Sequence, residues 1–488
     1  MIGKELKFLL KHSSIYGIGT VVNQAVGFLL LPLYTRYLTL ADYGVLSLIN
    51  ITIDIIGLIV TIGIVNAMSR FYFDFDEERK QNLVVSTVYW IFFIMTLVFL
   101  PLLYFLSVPL SKIIFQSAGY QKHFLVAFLG LFFGACVDIG VSYLRIKAES
   151  VKYVKISVTR TLMLIGFNIY FVAVLKSGVI GIFYSTLITT LVYSLILSVP
   201  ILIKVKIRFS FTLAKQMIHY SFPLIFSNMF RIMVNQSDKY FINFFFSTAE
   251  TGIYSVAQKI GQSIHSLITS PFLQTFVPRR FEIMKRPDAK ETYAQILNYY
   301  LLVIGTVGLG LSVFSFEIVK IMTTPEYYQT AQYVSLVVLS MIIFGLKYHF
   351  EIGIMIHKKT KYVAYINGVS AVANIVLNFF LIQEYRLWGA LLAANISILI
   401  TTSLNYIISQ KLYHINFRLT YVHKLMALIS FIYLVSLLLN FSNLWLSFAA
   451  KGGLFLIYFA ALWLLGLVDK TLLKTAYGKI QALMSKSG

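Results

Sequence analysis

The chain is predicted to be an all-α integral membrane protein of fourteen transmembrane helices, on three observations. Of its 488 residues, 58% are hydrophobic and only 12% charged, against about 25% charged in soluble domains. Its apolar residues fall in fourteen long runs, where a helix needs roughly 20 to cross a ~30 Å hydrocarbon core; a barrel would show shorter segments of alternating polarity. The basic residues also alternate. Connections on one side each carry three to five Lys or Arg, and those on the other carry none to two. This positive-inside asymmetry puts both termini in the cytoplasm, and one missed span would scramble it.

The predicted segments are 14–34, 44–68, 83–106, 124–144, 156–176, 178–202, 217–246, 252–277, 294–319, 330–356, 362–383, 388–409, 424–441 and 444–468. Lys4, Lys7 and Lys11 precede a long first run with no small-residue cleavage site behind it, which reads as a retained helix. Every connection is too short for a soluble domain, so function resides within the bilayer or at its faces. From Lys470 onward, Leu472, Leu473, Ala476, Ile480 and Leu483 are set against Lys470, Lys474, Lys479 and Lys486. That pattern is an amphipathic helix suited to anionic phospholipids. Topology therefore explains the net charge of +22, and no nucleic-acid partner is implied. With Cys136 the single cysteine, an intramolecular disulfide is excluded.

An internal repeat emerges at an offset of 208 residues. It aligns Ser13 with Ser221, Ala41 with Ala249, Asp42 with Glu250, Gly44 with Gly252 and Ser47 with Ser255. Segments 1 and 2 thus match segments 7 and 8. A shift of six helices preserves orientation, so the expectation is two parallel six-helix bundles, 1–208 and 209–415, followed by a third part, 416–488, with helices 13, 14 and the basic tail.

Two stretches of this repeat are familiar. Ser14-Ile15-Tyr16-Gly17, then Leu31-Pro32-Leu33-Tyr34-Thr35-Arg36-Tyr37-Leu38-Thr39 and Asp42-Tyr43-Gly44, resembles the N-terminal signature of the polysaccharide flippases. Ala249-Glu250-Thr251-Gly252-Ile253-Tyr254-Ser255-Val256-Ala257-Gln258-Lys259-Ile260 resembles its counterpart in their second half. The family resembled is the Wzx-type O-antigen and capsule flippases of the multidrug/oligosaccharidyl-lipid/polysaccharide (MOP) exporter superfamily. The resemblance implies two bundles around a central cavity lined by segments 1, 2, 7 and 8, with segments 13 and 14 peripheral. It also implies movement of a polyprenyl-pyrophosphate-linked oligosaccharide from the cytoplasmic to the external leaflet of a bacterial plasma membrane, by alternating access. On this reading the protein is no enzyme, needs no cofactor and works as a monomer in building surface polysaccharide such as lipopolysaccharide.

Charges inside spans are costly, ~2.5–3.5 kcal/mol each on insertion scales, and so mark functional candidates. In segment 7, Arg231, Asn235, Asp238 and Lys239 follow at i, i+4, i+7 and i+8, one helical face. Segment 8 answers with Ser255, Lys259, Gln262 and Ser266, with His265 beside the stripe. On the functional reading Arg231, Lys239 and Lys259 neutralise a pyrophosphate. The competing reading has both lysines snorkelling outward and Asp238 pairing with one of them. Asp54, near the middle of segment 2, is the candidate for a proton or sodium site, for tuning the cavity's charge, or for pairing with Arg231. Asp138 with Arg160, and Lys347 with Glu351 at i, i+4, are expected to be structural ion pairs. Glu317 and Lys451 lie toward the outer ends of their segments and are expected to snorkel. Pro32, Pro223 and Pro271 are expected to kink segments 1, 7 and 8.

Rival functions are weaker. Asp74-Phe75-Asp76 has the D-x-D spacing of a glycosyltransferase, but it stands in a short charged loop with Glu77 and Glu78. No G-x-x-x-x-G-K-[ST] phosphate loop occurs, and no His/Cys/Glu group has zinc spacing. A drug or cation antiporter of the same superfamily should line its pocket with acids. Segments 7 and 8 instead bring three cations against Asp238 alone.

Overall fold

The computed structural model describes residues 27–467 apart from 62, 360, 418, 440 and 442. The start of segment 1 and the basic tail from Lys470 lie outside the described residues, as do the side chains of Pro223 and Arg231.

Short α1 (Leu31–Tyr37) leads into α2 (Leu40–Thr61) and α3 (Ile64–Tyr72), which together form segment 2 broken at Gly63, whose φ of 61° suits a residue without a Cβ. Then come α4 (Glu78–Phe115), α5 (Gln121–Ile146), α6 (Ser150–Asn168, prolonged as a π-helix over Ile169–Val174) and α7 (Gly178–Val205). The second lobe opens with α8 (Phe211–Phe245) and α9 (Thr248–Gly261). A π-helix over His265–Thr269 separates α9 from α10 (Ser270–Ile283). Next are α11 (Ala289–Val313), α12 (Ser315–Met322), α13 (Ala331–Phe350) and α14 (Ile352–Ile356). The 52-residue α15 (Lys361–Leu412) is two legs meeting at Arg386, where φ is 53° and ψ −129°. Two last helices follow, α16 (Leu419–Leu437) and α17 (Leu444–Leu464).

Ten helices among the described residues are long and apolar enough to cross a membrane by length and composition. The chain is an all-helical, multi-span membrane protein. The 35-residue α8 falls outside that group of ten, as do α9 and α10, each 14 residues long once the π-helix divides segment 8. Segment boundaries differ most for segment 3, because α4 extends well past the apolar stretch at both ends.

Apolar burial falls into two large cores and a small cluster of Val137, Leu144, Ile156, Tyr193 and Leu197 among α5, α6 and α7. One core draws on Val84, Val88, Phe124, Phe128 and Ile139. The other draws on Tyr254, Tyr293, Leu297, Ile304, Val334 and Val338. Ala214 and Met217 at the start of α8 belong to the first core and Ile242 near its end to the second, so this helix ties one lobe to the other.

The lobes also meet where α2 crosses α9. A Cβ added to Gly44 would collide with the Thr248 carbonyl and stand 3.1 Å from the Gly252 nitrogen. A Cβ on Gly252 would collide with the Leu40 carbonyl and stand 3.2 Å from the Gly44 nitrogen. Both pairs are related by the 208-residue offset, so the crossing is a reciprocal, pseudo-twofold contact of backbone on backbone. Lipid gives helices little hydrophobic incentive to associate, and small residues that allow such an approach supply the van der Waals contact instead. Nearby, Tyr327 donates to the Leu38 and Thr39 carbonyls at 2.9 Å, and its ring meets Tyr43 edge-on. Thr35 donates to the Met322 carbonyl at 3.0 Å, and Thr324 to the Thr35 carbonyl at 3.1 Å. Following the charge asymmetry, this is termed the outer end.

Candidate functional site

Between the lobes lies a cavity of about 740 Å³. The first lobe lines it with Asn50 and Asp54 of α2, Arg160 and Thr161 of α6, and Thr186 and Thr190 of α7. The second contributes Gln236 and Lys239 of α8, and Ser255, Gln258, Lys259 and Gln262 of α9 and its C-terminal turn. Among these described residues the charge is three cations to one acid. The Lys259 ammonium lies against Gly27.

The polar stripe of segment 7 does not face one way. At 3.6 residues per turn its four positions spread over roughly 100° of the helix, enough to be divided between neighbours. Lys239 faces the central cavity. Asp238 is turned into the α8–α9 contact and buried, where its Oδ2 accepts from the Tyr254 hydroxyl and, at 3.0 Å, from Gln258 Nε2. Its Oδ1 accepts from the Lys239 backbone N–H at 2.9 Å. Asp238 is therefore a fastening between two helices instead of a cavity acid. Asn235 lines a separate cavity of about 390 Å³ inside the second lobe. Arg231 stands on α8, with its side chain outside the described residues.

On the opposite helix the expectation holds better, since Ser255, Lys259 and Gln262 share the central cavity. His265 is not among the residues lining it. The π-helix turns its ring onto Phe344, at 5.5 Å between centroids.

Two expected pairings and one expected case of snorkelling are corrected. Asp138 and Arg160 form no ion pair within 4 Å among the described residues, and Arg160 faces the cavity. Glu351 pairs with buried Arg280 at 3.1 Å, while Lys347 donates to Asn367 Oδ1 at 3.2 Å. The helix breaks between α13 and α14 at Glu351, within reach of the Arg280 fork from α10. Nor do Glu317 and Lys451 snorkel. They form a buried ion pair at 2.6 Å, with Ser447 also donating to Glu317. Asp74 of the D-x-D triplet pairs with Arg70 at the surface, and no group of three or more His, Cys, Asp or Glu able to hold a metal occurs among the described residues.

Sequence reasoning missed Arg160 as a cavity group. Its depth was legible, but the nearest acid at that depth drew the assignment away from the lumen.

Comparison with known proteins agrees with this architecture. An uncharacterised membrane protein of Haemophilus influenzae is 25% identical over 290 residues, 58% of this chain and 67% of that protein. The Lsg locus putative protein 1 of the same organism is 25% identical over 287 residues, 57% of this chain and 67% of its own length. Among solved structures, the lipid II flippase MurJ in an inward closed conformation superposes with a TM-score of 0.70 at 16% identity, covering 94% of this chain and all of that one. An inward-facing multidrug resistance MATE family transporter of the MOP superfamily gives 0.63 at 14% identity, over 80% of this chain and 94% of its own. These likenesses establish a shared fold. The family described as "Polysaccharide biosynthesis protein" matches over residues 33–332, more than half of the chain, and to that family this protein belongs.

Proposed function

We propose that this protein flips a polyprenyl-pyrophosphate-linked oligosaccharide across a bacterial inner membrane, from the cytoplasmic to the external leaflet, by alternating access of two lobes spanning residues 1–208 and 209–415. The observation that carries the reading is the central cavity, whose described walls oppose Arg160, Lys239 and Lys259 to Asp54 alone. Two negative charges on a pyrophosphate diester ask for such a set. Arg presents a planar fork and Lys a point charge, and hydrogen bonds to charged groups contribute ~1.5–3 kcal/mol each. With both a flippase and MATE transporters sharing its fold, the polysaccharide family membership favours the lipid-linked cargo. Gln262 and Ser255 would bind beside the phosphates, as would Arg231 if its side chain reaches the lumen. A drug or cation antiporter would need the opposite charge balance.

The test is a proteoliposome assay with a fluorescent polyprenyl-pyrophosphate saccharide, its leaflet read by a membrane-impermeant quencher. Outward flipping by the native protein, accelerated by an inside-negative potential of ~2.3 kcal/mol per charge per 100 mV, is expected. Transport of organic cations with no lipid movement would overturn the reading.

A further inference from the structure

The inward continuation of the first lobe's cavity wall carries three charges of alternating sign. On α5 the cavity is lined by Ala127, Gly130, Leu131 and Gly134. With helical periodicity the same face continues inward through Asp138 and then Arg145. Val137, Ile139 and Gly140 beside Asp138 are buried, whereas Asp138 itself is exposed. Helix α6 returns alongside α5. Counted from the turn that joins them, its Arg160 stands at nearly the depth of Asp138, and its Tyr153 close to that of Arg145. Arg145 stacks on the Tyr153 ring at 5.1 Å. From the inner mouth into the cavity the order is thus Arg145, Asp138, Arg160.

Arg160 and then Arg145 are the cations that act most on Asp138, yet its carboxylate makes no ion pair within 4 Å among the described residues. A carboxylate at that remove eases the cost of a partly enclosed guanidinium without occupying its N–H groups. A phosphate that reaches Arg160 does better, because it takes two parallel N–H bonds from the fork. The acid nearest Arg145 in sequence, Glu149, pairs with Lys152 at 3.4 Å, and a guanidinium stacked on a ring keeps its N–H edge available. We infer that Asp138 is the resident counter-ion of Arg160, its place taken by a cargo phosphate passed on from Arg145 and resumed when the cargo leaves. The inference rests on the translocation reading and assigns the phosphate's entry to the inner wall of the first lobe. A site used in transit must release as well as hold, and competition from Asp138 provides the release.

Titration calorimetry of inorganic pyrophosphate against the full-length protein, paired with the lipid-flipping assay, tests this. Asp138→Asn should bind pyrophosphate about 3- to 10-fold more tightly, the effect of removing one nearby like charge from a watery cavity. The same variant should flip lipid more slowly at saturating lipid, and Asp138→Glu should restore native behaviour in both assays. Arg160→Gln should erase the gain, so that Asp138→Asn/Arg160→Gln binds no better than Arg160→Gln alone. Arg145→Gln should weaken binding. Should Asp138→Asn fold poorly, Asp138→Ser is read in the same way. A merely structural Asp138 would lower thermal stability without tightening binding, and that result would overturn the inference, as would a gain in affinity that survives Arg160→Gln. Native protein that flips lipid but binds no pyrophosphate would sink the counter-ion role alone. Native protein that does neither would take the translocation reading down with it.

Discussion

The outer crossing and the central cavity are built from the same repeated helices and obey opposite rules. At the crossing the halves are near copies, with Gly44 set against Thr248 and Gly252 against Leu40. A few turns deeper the copies diverge. Stepping back 208 residues from Lys239, Lys259 and Gln262 leads to Leu31, Ile51 and Asp54. Backbone approach tolerates almost no variation, because any Cβ there meets a carbonyl oxygen. A lumen wall has no such constraint and can place its charges on either lobe. Residue identity is thus kept where the lobes must touch, while around the cavity equivalent positions still face inward, Ser47 with Ser255 and Asn50 with Gln258, but the charges are placed without regard to the repeat.

The sharpest way to break this comparison is to spoil the contact. Gly44→Val or Gly252→Val should abolish flipping and expose Ser255→Cys to impermeant maleimide from the outside. Gly44→Ala should do the same more weakly, and adding Gly252→Ala should cost little more, since both belong to one crossing. Unchanged labelling in the valine variants would show that the crossing does not seal the outer end.

Charge removal should rank next. Arg160→Gln, Lys239→Gln and Lys259→Gln should each slow flipping about 10- to 100-fold, the equivalent of the ~1.5–3 kcal/mol of a charge-assisted hydrogen bond. Arg160→Lys should recover only part, because the forked geometry is lost. If Arg160→Gln flips at the native rate with equal abundance, the cavity's charge asymmetry resides wholly in the second lobe.

The smallest effect sharpens the contrast from the side of stability. Tyr254→Phe removes one donor to Asp238 and should lower thermal stability in detergent by ~1–3 kcal/mol, with flipping by the surviving protein little changed. A loss of flipping at unaltered stability would return Asp238 to the binding site.

What could be read beforehand follows from what one dimension encodes. Depth in the bilayer and helical spacing are properties of the chain, so the all-helical fold and the placement of Asp54, Arg160, Lys239 and Lys259 within helices at membrane depth were legible. So was an interruption of segment 8, expected from Pro271, which stands at the start of α10 just after the π-helix. Rotation about a helix axis and the choice of neighbour are not written in spacing. Asp238 and Lys239 adjoin in sequence yet face α9 and the lumen respectively, and Glu351 found Arg280, which is 71 residues away. Those outcomes depend on which helix packs where, a result of summed contacts.

The buried pair Glu317–Lys451 bears on how separable the final two helices are. α17 brings Lys451 and Ser447 to the carboxylate of Glu317 in α12. Tyr458 shares a hydrogen bond of 2.9 Å with Thr306, and Phe448 and Phe455 stack on Phe314. A chain ended after residue 415 would leave Glu317 charged, enclosed and unanswered, and breaking a buried pair from one side costs ~3–5 kcal/mol. The final two helices are therefore integral to the second core, and a chain shortened to residue 415 would require replacing Glu317 as well.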